Sequence, residues 1–120
     1  MKKLDIIEEI IFLPLRSYER NVSIYSLLKE SDYFELHNQI NESDIFKALT
    51  QHVECVDQWL HLSENKRSSS GWYIKQTNSE NYIVGYYPSH EINKTIDFSD
   101  KLEACAHFIK RELEDLRNAR

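Results

Sequence analysis

Glycine, proline and cysteine are each present only twice in these 120 residues, and each scarcity removes a class of function. Gly71 and Gly85 stand alone, so no glycine-rich loop can bring backbone N–H groups around a phosphate. Cys55 and Cys105 are too few for a disulfide scaffold, and neither a CxxC pair nor an HExxH pattern occurs. No apolar run approaches the roughly 20 residues of a membrane-spanning helix. Lys2 and Lys3 open a basic start, but Asp5, Glu8 and Glu9 interrupt the apolar stretch that a signal peptide needs. The expected compartment is therefore the reducing cytoplasm, where the sequons at Asn21, Asn41 and Asn93 carry no glycan. A basic excess is also missing. Fifteen Lys and Arg against twenty Asp and Glu give −5, the wrong sign for gripping a nucleic-acid backbone, and neither nucleic acid nor membrane is an expected partner.

The composition that remains, 41% hydrophobic and 29% charged, is that of an ordinary globular chain, and its length predicts one domain over residues 1–120. The first seventy residues carry helical periodicity. Ile6, Ile7, Ile10, Ile11 and Leu13 alternate with Asp5, Glu8 and Glu9 at a period near 3.6, and Pro14 is expected to end that helix. Ser23 can cap a second, short helix bearing Ile24, Leu27 and Leu28, with a break at Ser31-Asp32. A third helix, capped by Asn41 or Ser43, is expected to run to about Leu62 with Ile45, Leu49, Val53, Val56 and Leu60 in one stripe. The polar segment 63–70 reads as a connection.

The period then changes. Residues 71–75 and 82–87 are aromatic and β-branched and flank a turn-like stretch, which predicts a hairpin, and 94–98 supply a third antiparallel strand. Ser99 is the expected cap of a last helix whose stripe is Leu102, Cys105, Ala106, Ile109, Leu113 and Leu116, with Lys110–Glu114 and Arg111–Asp115 as pairs on its wet side. The fold class is α+β: N-terminal helices, then a small three-stranded antiparallel sheet, then a C-terminal helix packed on it.

Catalytic and metal chemistry find little support. The five histidines and two cysteines lack ligand spacing, so no metal or other cofactor is expected. Cys55 and Cys105 read as small buried apolar side chains. No Ser, Cys or Thr sits beside a motif-spaced base, and the chain is not expected to be an enzyme. Trp72, Tyr73, Tyr82, Tyr86 and Tyr87 could stack nucleobases, but the basic funnel that stacking requires is missing, and packing on the helices is the simpler role. Trp59 and Trp72 read as core or half-core. The sheet face turned away from the helices leaves Tyr73 or Tyr87 available for a protein contact.

The strongest functional signal is lopsided charge. Between Glu30 and Glu64 lie eight acids and one base, Lys47, so this segment carries −7 while the rest of the chain carries +2. Some of these acids simply solvate helix faces and cap N-termini. Read functionally, they form an acidic surface that speeds encounter with a cationic partner and aligns it. The candidate contact residues are Asp32, Glu35, Glu42, Asp44, Glu54 and Asp57.

Around the helix-to-sheet junction the sequence reads Trp59-Leu60, Ser63-Glu64-Asn65-Lys66-Arg67 and Ser70-Gly71-Trp72-Tyr73. It continues through Tyr82-Ile83-Val84-Gly85-Tyr86, Phe98-Ser99-Asp100, Ala104-Cys105-Ala106, Phe108-Ile109 and Glu112-Leu113. From about Trp59 to Leu116 this resembles the small bacterial immunity proteins of polymorphic toxin and contact-dependent growth inhibition systems. The resemblance implies a non-enzymatic antitoxin that binds the C-terminal effector domain of a cognate toxin, in many cases a nuclease with a basic cleft, in the cytoplasm. Lys66, Arg67, Gly71 and Trp72 fall within the matched string but read as structural. The alternative function is an acidic interaction or adaptor module with no toxin partner.

Overall fold

The computed structural model describes residues 3–65, 71–77, 80–87 and 95–118. Helix α1 (Lys3–Ile11) buries Ile6, Ile7, Ile10 and Ile11 on one side, as its periodicity requires. The break comes earlier than Pro14, at Phe12, and Pro14 lies in the first turn of α2 (Leu13–Arg20). Proline lacks an N–H and its ring collides with a preceding turn, so the start of a helix is the position that tolerates it. The carbonyl of Ile11, left over at the end of α1, accepts a 2.9 Å hydrogen bond from the Trp59 indole N–H. One buried tryptophan thus fills the core and satisfies the helix end that the break exposes.

Asn21, at φ 55°, closes α2 in the left-handed conformation that asparagine tolerates. Ser23 caps α3 (Ile24–Glu30) by accepting from the Ser26 N–H at 3.1 Å. The break at Ser31-Asp32 is present, with Asp32 at φ 68°, and leads into a single turn, α4 (Tyr33–Leu36), and a 3₁₀ turn (His37–Gln39).

The long third helix of the sequence reading is instead two, α5 (Glu42–Gln51) and α6 (Glu54–Asn65). His52 adopts φ −138°, ψ 62°, which no helix contains, and Val53 is 54% exposed rather than part of the apolar stripe. Both remaining acceptor positions of the break are used: the His52 and Val53 carbonyls receive the N–H groups of Cys55 and Val56. Asn41, one of the two expected caps, forms a reciprocal pair with Asp44, whose carboxylate accepts from the Asn41 N–H at 3.1 Å while Asn41 Oδ1 accepts from the Asp44 N–H at 2.9 Å. Asp44→Ala should cost about 1 kcal/mol, read as a fall of about 5 °C in the thermal midpoint.

Strands β1 (Gly71–Gln76), β2 (Tyr82–Tyr87) and β3 (Ile96–Phe98) form an antiparallel sheet in sequence order. Trp72, Ile74, Val84, Tyr82 and Phe98 lie on the face covered by α7 (Lys101–Asn118). On the opposite face the Tyr73 ring crosses its partner Gly85, so that a Cβ there would sit 2.6 Å from the tyrosine oxygen. Gly85 is required by this close approach, and Gly71 by a φ of 138°.

The expected cap Ser99 is displaced by one residue. Asp100 does the work, its Oδ1 accepting from the Leu102 N–H at 3.1 Å. Helix α7 contacts α3, α5, α6 and every strand, and from Ala104 to Ile109 it is buried on all sides. The buried side chains form one cluster that includes Trp59, Tyr33 and Phe108. Cys55 and Cys105 belong to it as free thiols.

Candidate functional site

Helix α6 and the free edge of β1 are joined by one side chain. Ser63, expected in a loop, is helical and buried, and its hydroxyl donates to the Ile74 carbonyl and accepts from the Ile74 N–H, both at 2.9 Å. The helix is thereby fixed along the edge strand. Between them runs a groove of about 680 Å³. Asp57, Leu60, His61 and Glu64 form its helical wall, and Trp72 and Tyr73 contribute aromatic surface from β1. Lys75 and Lys101 add two cations.

The solvent face of α6 is Glu54, Asp57, Gln58, His61 and Glu64, spaced i, i+3, i+4, i+7 and i+10. Residues at that spacing share a side of a helix. Glu54 and Asp57 also lie in the first turn, where the helix dipole favours anions. Lys101 Nζ reaches Asp57 Oδ1 at 3.0 Å from the first position of α7. Glu54 is 68% exposed, and its Oε2 lies 3.9 Å from His52 Nδ1, while Glu8 approaches the same imidazole at 3.7 Å.

The six acids singled out from the sequence are not one cluster. Asp57 lines the groove and Glu54 lies one turn away on the same ridge. Asp32 and Glu35 are exposed around α4. Glu42 and Asp44 have internal duties. Glu42 Oε1 lies 2.7 Å from Nδ1 of the buried His107, and Asp44 completes the cap of α5 while meeting Lys3 at 3.1 Å. Burial opposes ionisation of Asp44, but the Asn41 N–H and the Lys3 ammonium outweigh it and hold this carboxyl below the usual range. These two acids hold helices together, Glu42 joining α5 to α7 and Asp44 joining α5 to α1.

A second charged group lies where α7 passes α4. The Lys110–Glu114 pair, expected on a wet face, is partly buried beneath the 3₁₀ turn: Lys110 Nζ donates to the Tyr33 hydroxyl at 2.8 Å and to the His37 carbonyl at 2.7 Å. Tyr33 Oη donates to Glu114 Oε2 at 2.6 Å, and Arg117 grips the same carboxylate. Burial disfavours the Glu114 charge, yet the hydrogen bonds from Arg117 and Tyr33 and the cations nearby prevail and hold its pKa at about 2. Burial, followed by the hydrogen bond to Glu114 and that group's charge, raises the Tyr33 phenol well above its ordinary value. The polar atoms are used up among themselves, which marks a clamp rather than a reaction centre. Arg111 takes no part and lies over the Trp72 ring, 5.9 Å from its centre.

Burial, with the Glu54 charge second, pushes the Cys55 thiol up to about 11, and burial raises Cys105 further, so neither is a thiolate at neutral pH. Among the described residues no group of three or more His, Cys, Asp and Glu side chains converges as a metal site would require, and no helix is long and apolar enough to cross a membrane. His61, Glu64, Trp72, Lys75 and Lys101 line the groove without having been singled out as a site, whereas Tyr73, which also lines it, is one of the two tyrosines expected to be available for a protein contact. The polar spacing on α6 was the available signal for His61 and Glu64. In comparisons with known proteins, no family model, no curated protein and no solved structure matches this chain.

Proposed function

We propose that this chain is an immunity-type inhibitor, a non-enzymatic protein that captures the cationic effector domain of a cognate toxin and blocks it. The observation that supports this most is the α6 ridge. Glu54, Asp57 and Glu64 project from one helical face beside an aromatic-lined groove, and Glu54 and Glu64 serve neither a cap nor a core contact. Helix-borne carboxylates held on a rigid frame attract a basic surface over a Debye length of about 8 Å and orient it on arrival. The exposed acids Glu30, Asp32 and Glu35 lie around α3 and α4, away from this ridge, and add to the net negative charge of the molecule. A nuclease is a suitable target because its own substrate demands a basic cleft. The setting is the cytoplasm of the cell that makes the toxin, and the inhibitor itself contacts no nucleic acid.

The test is co-expression with the effector domain encoded by the adjacent gene, scored by growth. Protection supports the reading, and death of cells that express the folded protein overturns it. In purified components, the triple reversal Glu35→Lys, Asp57→Lys and Glu64→Lys should slow association about 10-fold at low salt and flatten its salt dependence, while the thermal midpoint falls by only a few degrees from the lost Asp57–Lys101 pair. Stopped-flow association rates against ionic strength read this directly.

A further inference from the structure

We infer that the groove between α6 and β1 receives an arginine side chain from the partner, whose guanidinium takes the place of Lys101 on Asp57. This assignment rests on the partner being a cationic protein, as proposed above. The groove already holds a cation. Lys101 Nζ sits 3.0 Å from Asp57 Oδ1, yet Asp57 is 75% and Lys101 39% exposed, and an ion pair in so much water contributes little and exchanges readily.

The position of Lys101 is itself informative. It is the first residue of α7, where the helix dipole favours an anion, so the lysine serves neither its own helix nor the core. A guanidinium is the better occupant. It can bind a carboxylate through two parallel N–H groups and lay its plane on an aromatic or apolar wall, whereas an ammonium offers a point charge. The groove lining supplies both elements, with Asp57 and Glu64 on α6 beside Leu60 and the Tyr73 side chain of β1, while Trp72 turns toward α7. Trp72 shows the affinity within the chain, since Arg111 already lies over its ring. Asp57 is the acid of the groove that already holds a cation, so it is where an added positive charge is accommodated once Lys101 swings into solvent.

The probe is N-acetyl-arginine amide, titrated into the ¹⁵N-labelled full-length protein and followed by amide NMR, with N-acetyl-lysine amide as the comparison. Cross-peaks of Asp57, His61 and Gln76 should move with a millimolar dissociation constant, those of α3 and α4 should stay in place, and the lysine amide should bind at least 3-fold more weakly. Lys101→Met should tighten arginine binding about 3-fold by freeing the carboxylate, and Asp57→Asn should weaken it at least 5-fold. Both substituted side chains are exposed, so the fold survives either change. Equal response to the two amides, equal movement on α3 and α4, or indifference to Asp57→Asn overturns the assignment. Growth protection is a separate readout. Protection without an arginine response at the groove overturns the groove and leaves the inhibitor standing, while a groove response without protection supports the groove and removes the toxin.

Discussion

Ser63→Ala will lower the stability of this protein by about 3 kcal/mol, one of the largest losses available from deleting a single atom. The hydroxyl faces both the N–H and the carbonyl of Ile74, and Ile74 is buried. Its removal leaves a buried donor and a buried acceptor without partners, at about 1–3 kcal/mol for each. β1 is an edge strand, and an edge with unpaired backbone groups invites pairing with another chain. The alanine variant should therefore aggregate during unfolding as well as unfold sooner. Ser63→Cys, with a weaker donor and acceptor, should fall between the two. Urea unfolding checks this: the midpoint drops while the slope against denaturant is unchanged, because the same surface is exposed. If alanine matches serine in midpoint, the helix is fixed to the sheet by apolar contacts alone.

The layout of the fold was legible where residues act through local rules. Ser23 and Asn41 cap helices by side-chain oxygens that compete for backbone N–H groups, and they do so here. The hairpin over residues 71–87 and the closing helix followed from a change of hydrophobic period. Errors arose where a distant group decides. The stripe Ile45, Leu49, Val53, Val56 continues smoothly in sequence, and its break at His52 is set by packing, with Phe12 edge-on to the imidazole at 5.1 Å. Ser63 looked like loop because serine is common there, and its partner lies across the helix-to-strand connection. Among the candidate acids, spacing could separate neither Asp44, consumed by a cap, nor Glu42, held by His107, from the exposed Asp57. An acid's free charge depends on what the fold places opposite it, which composition does not record.

The clamp on α7 gives the second large effect, and one whose size changes with pH. Tyr33→Phe keeps the buried ring and removes the oxygen that accepts from Lys110 and donates to Glu114, at a cost of about 2–3 kcal/mol at neutral pH because both partners are charged. Glu114 is held at about 2 against an ordinary 4.5, so its contribution is fully present above pH 4.5 and is lost as pH falls toward 2. With about a quarter of that side chain in water, this share amounts to about 1–2 kcal/mol. Without the tyrosine donor the folded-state carboxyl rises toward its ordinary value, and the gap between variant and parent narrows as the solution is acidified. The phenol acts at the other end of the scale. Its raised pKa means that above pH 10 only the unfolded chain ionises there, so the parent loses stability on that limb and the phenylalanine variant does not. Unfolding free energies measured in urea from pH 2 to pH 11 should show the two curves furthest apart near neutrality and converging at both ends. Parallel curves would mean that Tyr33 acts through packing and that the polar hold of this turn on α7 runs through the Lys110 bond to the His37 carbonyl and the His37–Glu114 pair.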